Sequence, residues 1–241
     1  MLSRDDVFEE LGIGPVWRLR EIATGSSQTP APVVETRPAR DAAAQSPEPS
    51  APARFTWERL ADAVAHCTAC KLHTTRTQGV LGVGDRNADW LFIGEAPGAD
   101  EDRLGEPFVG QAGKLLDAML AAIDLRRGEN VYIANVLKSR PPGNRNPEPD
   151  EVAACRPYLR AQIELIQPKL IVALGRFAAQ SLLDTDESIG RLRGRLHSFL
   201  NVPLVVTYHP AYLLRNLPDK ARAWEDLCLA RHTMRSLPSQ S

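Results

Sequence analysis

From residue 90 onward, predominantly apolar runs at Trp90 to Ile93, Val131 to Asn135, Leu170 to Leu174 and Leu204 to Tyr208 alternate with stretches of helical period. A short apolar run bounded by Gly, Pro or Asn reads as a strand buried on both faces, whereas recurrence every three or four residues reads as a helix. The predicted helices span 58–66, 111–124, 148–167, 176–183 and 219–236. Strands separated by helices imply right-handed crossovers and a parallel sheet. The expected fold class is α/β: a three-layer α/β/α sandwich around a central four-stranded, mainly parallel sheet. All strand exits then share one edge, where open α/β folds place their sites.

The segment after each run is richer than turn sequence. After Ile93 come Gly94-Glu95-Ala96-Pro97-Gly98, Glu101 and Gly105-Glu106-Pro107-Phe108, and residues 94–113 contain five glycines and two prolines. Asn135 precedes Lys138-Ser139-Arg140-Pro141-Pro142-Gly143-Asn144-Arg145, Leu174 precedes Gly175-Arg176, and Tyr208 precedes His209-Pro210-Ala211-Tyr212. These sets are distant in sequence and converge if the sheet is parallel, which predicts one shared pocket.

Ahead of the catalytic-looking region, 1–22 reads as a short amphipathic helical segment and 23–54 as a disordered Pro/Ala/Ser-rich linker, leaving 55–241 as the folded domain. The 241 residues carry a net charge of -1, so any nucleic-acid surface must be a local basic patch. No apolar stretch is long enough to span a membrane, and the acidic start is unlike a secretory signal, so a soluble intracellular protein is expected. Four cysteines in a reducing compartment suggest ligands or bystanders more than disulfides.

The blocks GEAPGADEDRLGEPFVGQAGKLLD, NVLKSRPPGNRNPEPDEVAACRPYL, LIVALGRFA and HPAYLLRN, in that order within residues 57–236, strongly resemble the family-4 uracil-DNA glycosylases. This bacterial and archaeal group often carries an iron-sulfur cluster. The resemblance implies a cytoplasmic, nucleoid-associated monomer that flips uracil out of double- or single-stranded DNA. It would hydrolyse the N-glycosidic bond, which is out of reach while the base is stacked, and so initiate base-excision repair. The N-terminal segment would be free to tether a repair or replication protein. Two other readings stay open: a catalytically weak or inactive DNA-binding scaffold of the same fold, and a glycosylase for another deaminated base such as hypoxanthine.

The resemblance also implies roles. Phe108 is the expected platform for the base, a contact worth about 1 to 3 kcal/mol. Asn135 is expected to donate to uracil O4 and accept from N3–H, a pattern cytosine does not match. A neutral His209 would donate to O2 as charge appears there. Glu95 and Gly98 belong to the base-holding turn, Glu95 with a catalytic part, and Glu101 would crowd the 5-methyl group of thymine. No general base is assigned. Lys138, Arg140, Arg145, Arg191, Arg193 and Arg195 would grip phosphates, and Tyr212-Leu213-Leu214-Arg215 would push an apolar wedge into the hole left by the flipped base.

In cluster-bearing members four cysteines hold a [4Fe-4S] group. Cys67, Cys70 and Cys155 fill three of those places here, and Ser139 stands in the remaining one. A serine alkoxide is a hard ligand formed only at high pH, which weighs against it. A labile cluster completed by Ser139 or an outside ligand, recruitment of Cys228, and outright loss of the cluster all remain open at this point.

Overall fold

A computed structural model describes residues 55–237, so the readings made for 1–22 and 23–54 lie outside the described residues. Its strands are β1 (Val83–Gly84), β2 (Trp90–Gly94), β3 (Val131–Asn135), β4 (Leu170–Leu174), β5 (Leu196–Phe199) and β6 (Val202–Thr207). They form one sheet in the order β1-β3-β2-β4-β6-β5. The inner four are parallel, as expected. Two short antiparallel edges, β1 and β5, enlarge the expected four-stranded sheet to six. Neither edge is an apolar run: β1 has two residues, and β5 alternates exposed with half-buried positions.

Helices fill both faces because successive strand residues point opposite ways. Trp90, Phe92, Val131, Ile133, Leu170 and Val172 pack with Leu116 and Leu120 of α3 (Gln111–Ala121) and Leu227 of α8 (Lys220–Ser236). Leu91, Ile93, Ala134, Ile171 and Ala173 pack against α4 (Pro149–Ile166), α5 (Arg176–Leu183) and the short α6 (Ile189–Leu192) through Leu159, Ile163, Ala178, Leu182 and Leu192. Outside these layers, α1 (Trp57–Ala65) sets Leu60 and Val64 against Ala161 of α4. The start of α4 follows from local chemistry. Pro149 occupies its first turn, and Glu148 and Glu151 exchange side chain–backbone hydrogen bonds in a capping box.

The strand order fixes the site. From β2 the chain crosses to β3 on one side and later returns to β4 on the other. The exits of β2 and β4 therefore flank a topological switch point, where a crevice opens between diverging connections. Gly94 pairs with Asn135 in register, and Leu174 with Thr207, so the four exits lie level.

Candidate active site

A cavity of about 890 Å³ opens at this edge, lined by residues from all four exits, among them Glu95, Phe108, Asn135, Gly175 and His209. A larger groove of about 1230 Å³ lies elsewhere, with Asp89, Pro168, Lys169 and Pro203 in its wall. It contains none of the strand-exit residues, and its Asp89 and Lys169 neutralise each other at 3.1 Å. The chemistry is at the smaller cavity. Four helices also begin there among the described residues: α2 (Ala99–Leu104), α3, α5 and α7 (Pro210–Leu213), with N-caps Gly98, Gly110, Gly175 and His209 all in the lining. The one-turn α7 starts with a proline and has its next N–H taken by His209, whereas the starts of α2, α3 and α5 present unpaired N–H groups and partial positive charge to an anion.

His209 is held in one tautomer. Its Nδ1 accepts from the Ala211 N–H at 3.1 Å, which assigns the proton of the neutral ring to Nε2. Burial, reinforced by the nearby Arg215 charge, pushes the imidazole down to about 4, so it is neutral at physiological pH. Its ring stacks on Phe108 with centroids 5.4 Å apart and 28° between planes. The side chain of Asn135 is buried, and its Oδ1 has no hydrogen-bond partner among the described residues. A buried carbonyl left unpaired costs about 1 to 3 kcal/mol and calls for an explanation, and a ligand N–H is one.

Two glycines make room for these groups. A Cβ on Gly94 would lie 2.4 Å from Asn135 Oδ1 and 2.7 Å from the Phe108 ring, and one on Gly175 would lie 2.8 Å from the His209 Cβ. Gly175 also sits at φ +93, which a larger residue adopts only with strain. Glu95 lines the cavity with its carboxyl pushed up to about 7 by burial, against the opposing pull of Arg176. Glu101 lines it too, but its Oε1 accepts from the Val109 and Gly110 amides at 3.0 and 3.3 Å, bracing the Phe108 loop.

The basic and apolar candidates divide into buried, ion-paired and exposed side chains, and for the buried Lys138 and Leu213 the expectation is corrected. Lys138 is 1% exposed, and its Nζ donates to the Asn135 carbonyl at 2.7 Å and to Gln162, so it does not face DNA. Leu213 is 1% exposed and belongs to the core, leaving Leu214 as the exposed apolar residue of that loop. Arg145 lines the cavity yet is paired with Glu151, its Nη1 donating to Oε2 at 2.9 Å, and Arg193 is paired with Asp226 and Glu225, both at 3.0 Å. Arg195 meets Glu187 at 3.1 Å, and Arg140 donates to Asn144 at 2.7 Å. Arg215 is exposed at the cavity rim, and Arg191 is exposed as well. Arg176, named in the sequence only as part of a strand exit and given no role, and Phe177, which was passed over, line the cavity with the guanidinium 4.6 Å from the ring centroid. Their signal was their place directly after a strand exit.

The cysteine corner lies behind this wall. Cys155 is buried and packs with Cys70, Leu72, Leu137 and Ala96. Ser139 is buried, and its Oγ accepts from Arg76 Nη1 at 2.7 Å, while Arg76 Nη2 donates to the carbonyls of Ala65 and Cys67, both at 2.9 Å. Among the described residues, no three His, Cys, Asp or Glu side chains converge as a metal-holding group. Cys228 lies on α8, part-buried.

Comparison with known proteins agrees with this geometry. A profile described as the Uracil DNA glycosylase superfamily matches residues 81–228. A type-4 uracil-DNA glycosylase of Archaeoglobus fulgidus is 52% identical over 159 residues, covering 63% of this chain and 79% of that protein. Type-4 enzymes of Thermotoga maritima and Saccharolobus solfataricus are 47% and 42% identical over 167 and 187 residues, covering 68% and 74% of this chain and 86% and 87% of theirs. With its parallel sheet, its strand-exit cavity and these relatives, the chain belongs to the type-4 uracil-DNA glycosylases of the uracil-DNA glycosylase superfamily.

Proposed function

We propose that this chain excises uracil from DNA by hydrolysis of the N-glycosidic bond, with Phe108, Asn135 and His209 as the working side chains. The observation that carries the reading is the buried, unpartnered Asn135 Oδ1 beside a neutral His209 whose Nε2–H is free to donate. A flipped uracil lying on Phe108 supplies what each lacks: N3–H for Asn135 Oδ1, O4 for its amide N–H, and O2 for His209. As the N1–C1′ bond breaks, its electron pair moves onto the uracil, and O2 gains negative charge. His209 and the N-termini of α2, α3 and α5 meet that charge without reorganising, and one preorganised donor such as His209 is worth roughly 2.7–4 kcal/mol. Water adds to C1′ and gives up a proton. Glu95, titrating close to neutrality, is the cavity carboxyl suited to orient that water and take the proton.

DNA contacts are assigned to Arg176, Arg191 and Arg215, with Leu214 as the wedge residue. For the iron-sulfur group, the donor set does not fit. A four-thiolate site has a serine in one position, and that hydroxyl already takes an Arg76 hydrogen bond. The same guanidinium joins the Cys67 turn to the segment after β3, and so bridges two of the segments that a cluster would hold together.

Cleavage of oligonucleotides carrying U:G, U:A, single-stranded U or hypoxanthine tests the function. Uracil release that His209→Ala lowers by about 10² to 10³ supports it, and no release from any uracil substrate rejects it.

A further inference from the structure

The loop carrying Phe108 is held through its backbone. Phe108 sits at φ +57, which a bulky residue keeps only where its surroundings over-determine it. Glu101 fixes the amides that follow, Val109 and Gly110. The carbonyls are fixed by a residue far from the motif: Arg127 Nη1 donates to Pro107 O at 3.0 Å and Nη2 to Phe108 O at 2.9 Å. Its Nε donates to Asp117 of α3 at 2.9 Å, which orients the fork. Helix α3 closes on the same carbonyl, since a Cβ on Gly113 would lie 1.7 Å from Phe108 O.

From this arrangement we propose that Arg127 is a positioning residue for the base platform. It sets the Phe108 ring by gripping two successive carbonyls, and it is not part of the cavity wall. A planar guanidinium spans both oxygens at once, and a lysine ammonium cannot reproduce that fork. Small displacements of a reacting group's support can cost orders of magnitude in rate, so a loosened platform should show in the chemical step more than in DNA affinity. The proposal rests on Phe108 being the platform.

A double-mutant cycle tests both. Uracil release in single turnover at saturating enzyme is measured for wild type, Arg127→Lys, Phe108→Ala and the double variant, together with affinity for undamaged duplex and thermal stability. Expected are a roughly tenfold slower release for Arg127→Lys, unchanged affinity for undamaged duplex, and an Arg127→Lys effect under about twofold once Phe108 is alanine. Asp117→Asn, which keeps both carbonyl bonds and weakens only the orienting one, should fall between wild type and Arg127→Lys. Equal losses in the two backgrounds, or wild-type release by a folded Arg127→Lys protein, would overturn the proposal while leaving the platform intact. Wild-type release by Phe108→Ala would overturn the platform reading and this one with it.

Discussion

Acidification should leave the His209 imidazole neutral until about pH 4, far below the ~6.5 of an unperturbed histidine. The cause lies in the packing. Nδ1 is occupied by the Ala211 N–H, the ring is desolvated beside Phe108, and Arg215 adds a like charge. A protonated ring would turn a second N–H against Ala211. The gap between 6.5 and about 4 is about 2.5 units, or about 3 kcal/mol at 1.36 kcal/mol per unit. The sign follows from linkage. Above pH 6.5 the histidine is neutral folded and unfolded, so this group adds no pH dependence. Between 6.5 and 4 the unfolded chain takes up a proton that the folded chain refuses, and stability falls by up to that amount. Imidazole nitrogen NMR reads the tautomer and its titration, and urea unfolding across the same range reads the stability change. Single-turnover uracil release from about pH 3.5 to 8 should carry the acid limb of His209 near 4. Because Glu95 titrates near 7, a limb there is assigned by its loss in Glu95→Gln. A His209 resonance titrating near 6.5, or one showing Nδ1–H in the neutral ring, would refute the reasoning.

Asn135→Leu should raise thermal stability while abolishing uracil release, because it removes an unpaired buried carbonyl worth about 1 to 3 kcal/mol at similar shape. Calorimetry and the cleavage assay check the two halves, and a fall in stability would contradict the orphan reading. Gly175→Ala places a Cβ 2.8 Å from that of His209 at a φ of +93. It should cost about 1 to 2 kcal/mol of stability and at least about tenfold in release, and a neutral variant would sink this assignment. Ser139→Cys supplies a fourth thiol and should increase bound iron and visible absorbance after anaerobic purification. A wild-type protein already holding a full cluster would show the misfit argument to be wrong.

The inner sheet was legible because every residue of β2, β3 and β4 is buried, so each strand is an apolar run that only the terminal Asn135 of β3 interrupts. The exits were legible too, since Gly, Pro, Asn and His collect where those runs stop. The features that stayed hidden depend on partners distant in sequence. Lys138 reads as one more base in a basic loop, and only the fold brings Gln162 of α4 and the Asn135 carbonyl around its ammonium. Leu213 and Leu214 differ by one step on a single helical turn, and that step decides which one is buried. Arg193 is neutralised by Asp226, 33 residues away, so counting arginines overstated the free positive charge. Arg127 lies outside every motif, and its role emerges only from the carbonyls it reaches.

The internal pairing of Arg145, Arg193 and Arg195 bears on how a protein of net charge -1 finds its target. Each phosphate contact steepens the dependence of log affinity on log salt by about 0.9, so each arginine that a carboxylate keeps from phosphate should flatten that slope by about the same amount. The expected outcome is weak binding to undamaged duplex with a shallow salt slope, read by titrating affinity against salt, so that residence at a lesion would depend on how well the cavity keeps an extruded base.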